Sequence, residues 1–128
     1  MAELSGIKNI LLLVSDQQRR DCLGPYGNSV VETPTLDELA RKGVRFDNMF
    51  TPISICTPAR ACLQTGLLPQ HTDMIFNWEF QRCRGGVKDL PDSTPFFSRD
   101  LKALGWNLSH NGKWHIGDES RPADTGYD

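Results

Sequence analysis

The string Cys56-Thr57-Pro58-Ala59-Arg60 places a thiol directly ahead of a helix start and a guanidinium one turn further on. A side chain at that place faces backbone N–H groups without intrahelical partners, at the positive end of the helix dipole. Such a spot favours an anion, and Arg60 can reach back toward it. Taken alone, the pair is equally described as a small buried hydrophobe and a solvated surface charge. The C-x5-R loop with which cysteine phosphatases wrap phosphate is not present: the spacing is C-x3-R, with Pro58 in between. Lys113 and His115 stand at alternate positions after an apolar stretch, so on extended backbone they point the same way, as two groups binding one anion must. In isolation they are a solvated cation and a loop histidine. Asp16 and Gln17, by themselves, are an ordinary polar loop after a strand.

The elements that must position these residues alternate in type. Asn9 to Val14 is a continuous aliphatic run of strand length, the kind buried on both faces of a parallel sheet, and it delivers Ser15, Asp16 and Gln17 into a loop. A turn-rich stretch around Gly24-Pro25-Tyr26-Gly27-Asn28 follows. Thr35 to Gly43 carries helix marks: capping-box spacing of Thr35 and Glu38, a shared face of Leu36, Leu39 and Ala40, and Gly43 for a left-handed C′ position. Val44 to Phe50 alternates as a second strand. Thr57-Pro58 opens a second helix, with proline at the first helical position, and Gly66 closes it. Ser93 to Leu104 reads as a third helix closed by Gly105, and Trp106 to Ser109 as a further strand. The order favours a layered α/β fold with parallel strands.

Composition sets outer limits. The chain has 128 residues, 38% of them hydrophobic, with 14 Lys plus Arg against 16 Asp plus Glu and a formal charge of −2. One domain with no internal boundary is expected, without need of a disulfide or metal merely to fold. Neither charge nor charge runs indicate nucleic acid or an anionic membrane. The apolar run Ile10 to Val14 is far shorter than the ~20 residues that span a bilayer and shorter than a signal-peptide core, so a cytoplasmic location is expected. Cys22, Cys56, Cys62 and Cys83 are then reduced thiols, without the C-x-x-C pairing of a structural zinc site.

The longer string Cys56-Thr57-Pro58-Ala59-Arg60-Ala61-Cys62-Leu63-Gln64-Thr65-Gly66 resembles the sulfatase signature C-x-P-S/A-R-x3-L-T-G, departing from it at Gln64, where the family usually has Leu. Three further segments match in order. Asn9 to Gln17 is similar to the family's first strand and metal loop. Glu32 to Ala40 with Gly43-Val44-Arg45-Phe46 is similar to its T-P-N-L-D-x-L-A…G-x-x-F run, and Gly112-Lys113-Trp114-His115-Ile116-Gly117 to its G-K-W-H-L/I-G motif. On these motifs the chain is identified as the N-terminal part of a type I, formylglycine-dependent sulfatase. The resemblance implies an alkaline phosphatase-like α/β fold, three-layered with a mostly parallel sheet that is incomplete here.

It also implies chemistry. Cys56 would be oxidised to formylglycine by a formylglycine-generating or anaerobic sulfatase-maturating enzyme, and the hydrated aldehyde would be the nucleophile. Asp16, Gln17 and the residue made from Cys56 would hold a divalent cation, most often calcium, with magnesium or manganese as alternatives; carboxylate and amide oxygens are suitable hard donors. Arg60 and Lys113 would neutralise charge on the sulfate oxygens. His115 would take a proton from the remaining hydroxyl of the covalent sulfated diol, so that sulfate is eliminated. The substrate would be a sulfated small molecule or glycan. Many sulfatases have a second Asp where Gln17 stands, and Gln occurs both in phosphonate monoester hydrolases and in some sulfatases; since the same residues address a tetrahedral oxyanion rather than sulfur, a phosphonate monoester or phosphodiester hydrolase of the same superfamily is the alternative. The family's remaining cation ligands and leaving-group acid come later than Asp128, which makes a truncated fragment without catalysis the other alternative. His71, His110, Cys22, Cys62 and Cys83 match no functional position. Leu67 to Pro91, with Phe76, Trp78, Phe80 and Arg82, is the candidate substrate lining.

Overall fold

A computed structural model describes residues 6–86 and 89–128. The chain divides into two compact units, one ending at Asn48 and the other spanning Met49–Asp128. The elements are five α-helices and three 3-10 turns, and no strand is formed among the described residues.

In the first unit the expected opening strand over Asn9 to Val14 is not formed. Leu11 and Leu13 are 81% and 77% exposed. An aliphatic run becomes a strand only beside another that satisfies its N–H and C=O groups, and no such partner is present among the described residues. The unit is organised around Tyr26 instead. The Arg20 and Arg45 guanidinium carbons lie 4.8 and 5.3 Å from its ring centroid. Its hydroxyl donates to the Phe46 carbonyl at 2.9 Å, and Arg20 Nη1 donates to the Asp47 carbonyl at 2.6 Å. Side chains thus take carbonyls that a ladder would have used, and the expected strand over Val44 to Phe50 is irregular.

Helix α1 spans Pro34–Lys42, with Thr33 rather than Thr35 as its N-cap residue and proline in the first turn. The capping box does not form. Thr33 Oγ1 accepts from the Gly24 N–H and donates to Asp37 Oδ1, both at 2.9 Å. Glu38 faces Arg41 and Lys42 at 2.6 and 2.8 Å, so helix-spaced charge pairing takes the side chain expected to cap. Gly43 is extended, φ −110°, instead of left-handed, with its N–H on the Leu39 carbonyl.

The second unit holds α2 (Cys56–Thr65), α3 (Pro69–Thr72), α4 (Trp78–Cys83) and α5 (Phe97–Ala103). Gly66 closes α2 in the left-handed region, φ 69°, donating to the Cys62 carbonyl at 2.9 Å. Helix α5 starts four residues later than the apolar register indicates. Thr94 precedes a proline, which disfavours helical backbone, and its N–H closes a turn onto Pro91. The expected strand over Trp106 to Ser109 is not formed, although Trp106 and Leu108 are half-buried between exposed neighbours. Leu108 pairs with Asp128 rather than with a strand: it donates to Asp128 Oδ2 at 3.0 Å and accepts from the Asp128 N–H at 2.8 Å.

The core of this unit is Ala61, Met74, Phe96, Trp114 and Ile116, with Leu90 and Tyr127 packed against it. Phe96 stacks on Trp114 at 6.2 Å between centroids, and Trp114 Nε1 donates to Ser120 Oγ. Each large apolar side chain buried this way contributes roughly 1.5–3 kcal/mol. Among the described residues no helix is long and apolar enough to cross a membrane.

Candidate active site

Cys56 is the first residue of α2, after the N-cap residue Ile55, and is half-buried. Its surroundings offer fewer open N–H groups than the sequence indicates. The Thr57 N–H donates to Asn77 Oδ1 at 3.1 Å, the Ala59 N–H to the Ile55 carbonyl at 3.0 Å, and Pro58, third in the helix, has none. Thr57 returns the contact by accepting the Trp78 N–H on Oγ1 at 3.4 Å. A reciprocal clasp between Thr57 and the Asn77-Trp78 corner therefore holds the helix start that carries the thiol.

Arg60 lies on the next turn and reaches across the fold. Its Nη1 donates to the Lys113 backbone carbonyl at 2.6 Å, bringing two expected site residues 53 positions apart together. In the Lys113 loop burial alternates although the backbone is not a strand: Trp114 and Ile116 enter the core, while Lys113 is exposed and His115 half-buried. His115 takes a left-handed φ of 58°, rare for a residue with a side chain. Its Nε2 is 2.9 Å from Glu79 Oε1, its Nδ1 is buried without a hydrogen-bond partner among the described residues, and its ring meets Trp78 edge-on at 6.4 Å. Desolvation alone would raise the Glu79 carboxyl; the hydrogen bond with His115 and the nearby Lys113 charge leave it below the usual carboxylate range.

Asn77 and Glu79 carry no sequence motif, and neither does Gln81. Gln81 Oε1 accepts the Ile75 and Phe76 N–H groups at 2.9 Å each, while its Nε2 donates to the Asp73 carbonyl at 2.8 Å, fixing the turn before α4. In sequence they merely alternate with the aromatic residues Trp78 and Phe80. The aromatic lining divides: Phe76 and Phe80 pack edge-on at 5.3 Å with Arg84 over Phe80, Trp78 meets His115, and Arg82 pairs with Asp118 at 3.1 Å. Val87 and Lys88 of that stretch lie outside the described residues.

His110 sits edge-on to Trp114 and Tyr127 at 5.2 and 5.5 Å. Burial, followed by the Arg60 charge, pushes its imidazole below the ordinary value. All four cysteines are free thiols, and burial pushes the Cys62 thiol up. Gln64 is 7% exposed, with its Oε1 accepting the Tyr127 hydroxyl at 3.0 Å. The departure from the signature is thus a satisfied buried amide.

Asp16 and Gln17 belong to the first unit, at an exposed bend where Gln17 has a left-handed φ of 55°. Their oxygens are the hard donors that calcium or magnesium takes, so the donor chemistry fits such a cation. They supply only part of a shell: no group of three or more His, Cys, Asp or Glu that could hold a metal is found among the described residues.

A helix-borne thiol, a guanidinium tied to a lysine loop and a histidine–carboxylate pair are thus carried by the second unit. Comparison with known proteins gives the family. The sulfatase family model matches residues 8–128, and the chain belongs to the sulfatase family. Human arylsulfatase A is 39% identical over 109 residues, covering 85% of this chain and 21% of that protein. A solved sulfatase from Bacteroides fragilis superposes with a TM-score of 0.71 at 34% identity, over 84% of this chain and 23% of its own. A second structure, solved in complex with its substrate D-glucosamine-2-N,6-O-disulfate, gives 0.70 at 27% identity, over 84% and 19%. The chain spans about a fifth of the length of the curated relatives it matches.

Proposed function

We propose that this chain carries the nucleophile-bearing part of a sulfuric ester hydrolase acting on a sulfated small molecule or glycan, both of its units belonging to one catalytic domain of alkaline phosphatase-like α/β type. The observation that carries the reading is the C-x-P-x-R string seated at the start of α2 with Arg60 bound to the Lys113 loop. Family membership supports it, as does the sulfated glucosamine bound by one structural neighbour.

In this reading a separate maturation enzyme, bringing its own oxidant, converts the Cys56 thiol-bearing carbon to the aldehyde of formylglycine, and a hydroxyl of the hydrated aldehyde attacks sulfur, breaking the ester S–O bond, releasing the alcohol and leaving a covalent sulfated diol. Arg60 and Lys113 offset the charge that spreads over the sulfate oxygens, and the backbone bond between them keeps helix and loop in register. His115 receives the proton of the second hydroxyl, so that sulfate is released without attack by water. Asp16, Gln17 and the converted residue 56 would hold a divalent cation, calcium foremost, which supplies polarisation of a sulfate oxygen and a lowered pKa for the attacking hydroxyl. Two donors from the chain's own bend fall well short of the ~6–8 oxygens calcium takes, so the 128-residue chain alone is expected to be inactive.

The test is mass spectrometry of the peptide spanning Cys56 from protein made alongside a maturation enzyme. Conversion lowers its mass by about 18 Da as sulfur is exchanged for oxygen with loss of two hydrogens; an unmodified thiol counts against the reading. The alternative is a phosphonate monoester or phosphodiester hydrolase of the same superfamily, because the same residues address a tetrahedral oxyanion rather than sulfur itself, and Gln17 is compatible with either. Side-by-side turnover of sulfate and phosphate esters by the active enzyme decides between them.

A further inference from the structure

The two nitrogens of His115 are in different situations, and the difference has chemical content. Nε2 lies 2.9 Å from Glu79 Oε1, while Nδ1 is shut away from solvent with no partner among the described residues. An ionised carboxylate only accepts hydrogen bonds, so the shared proton sits on Nε2. In the neutral ring Nδ1 then carries a bare lone pair. The left-handed backbone of His115 and the Trp78 edge limit the ways in which the ring can escape by flipping.

We infer that Glu79 is a positioning residue that fixes His115 as the Nε2–H tautomer and thereby leaves Nδ1 as the one ring nitrogen able to accept a proton. The acceptor role rests on the sulfatase reading; the tautomer does not. Trp78 and Glu79 are the first two residues of α4, and Asn77 before them caps the Thr57 N–H, so one short corner sets both the start of the nucleophile helix and the orientation of the histidine. Glu79 itself is half exposed at 53%, which lets it be replaced without opening the core.

The experiment is nitrogen-detected NMR on the chain labelled with 15N-histidine, at about pH 8, above the ordinary histidine range. The exposed His71 serves as an internal reference for an unconstrained ring. His115 is expected to show the Nε2–H form alone, where His71 shows both tautomers in exchange. In Glu79→Leu, His115 is expected to acquire the mixture of His71. In Glu79→Gln, whose amide oxygen still accepts the Nε2 proton, the single form is retained. Trp114 fluorescence checks that each variant keeps its core. A proton on Nδ1 in the parent, or a His115 tautomer unchanged by Glu79→Leu in a folded chain, overturns the inference. Neither outcome bears on the mass of the Cys56 peptide, so this inference and the sulfatase reading fail separately.

Discussion

Arg60 Nη1 donates to the backbone carbonyl of Lys113 at 2.6 Å, joining the helix that carries Cys56 to the loop that carries His115. The two residues were expected to meet on a substrate's oxyanion. The contact is instead made partly through the main chain, and it has a structural consequence before any substrate is considered. Arg60 has two functions to lose: a tether between segments far apart in sequence, and a positive charge at the site.

Substitutions separate those functions. Arg60→Ala should destabilise the second unit by about 1 kcal/mol, the usual net worth of such a hydrogen bond at a partly exposed site, and should abolish ester turnover in the active enzyme. Arg60→Lys keeps the charge but not the planar fork, so it should recover little of either. Urea unfolding measures the first effect and kcat/KM the second; full activity in Arg60→Lys would show that charge alone suffices.

Tyr127 and Gln64 give a cleaner energetic test. Tyr127→Phe removes the hydroxyl that Gln64 Oε1 accepts and leaves a buried amide oxygen without that partner. A loss of about 1–2 kcal/mol is expected. Gln64→Leu restores the residue usual in the signature, and the double variant Gln64→Leu/Tyr127→Phe should regain most of the loss, because both polar groups are then gone. Additive losses in the double-mutant cycle would deny the coupling.

The helices and the chemistry-bearing motifs were legible because they are local. Gly66 closing α2 and the register of Leu36 and Leu39 on α1 each rest on residues within a turn or two of one another. The strands were not, because a strand is a relation between segments: Asn9 to Val14 has strand composition and no described partner, and Leu108 meets Asp128 in place of a ladder. The site shows the same division. Cys56, Arg60, Lys113 and His115 are singled out by short motifs, each pair lying within a few residues. Asn77 and Glu79, which hold Thr57 and His115, are not, since a single Asn or Glu at the start of a short helix carries no periodicity and acquires its role only when the chain brings it against the backbone or ring it serves.

The open aliphatic run makes its own prediction. Leu11 and Leu13 present apolar surface that adds nothing to either unit's packing. Leu11→Ser/Leu13→Ser should leave the unfolding midpoint of the chain unchanged and lower its self-association, read as a smaller concentration dependence of light scattering. A lowered midpoint would mean that the run is buried in solution.

His110 contributes to how the second unit responds to pH. Burial against Trp114 and Tyr127, and after it the Arg60 charge, hold its imidazole below the ordinary value of 6.5. A group whose folded pKa is depressed binds its proton more readily in the unfolded chain. Its contribution to stability is therefore complete above the unfolded value and is lost as pH falls from about 6.5 toward the lower folded value. The unit should weaken in that window, with the unfolding midpoint in urea moving down between neutral pH and the mildly acidic range. His110→Phe keeps a ring against Trp114 and has no proton to take up, so it should flatten the slope there, while Arg60→Gln should flatten it only in part, because desolvation is the larger cause. A slope of the same size in His110→Phe would place the titrating group elsewhere.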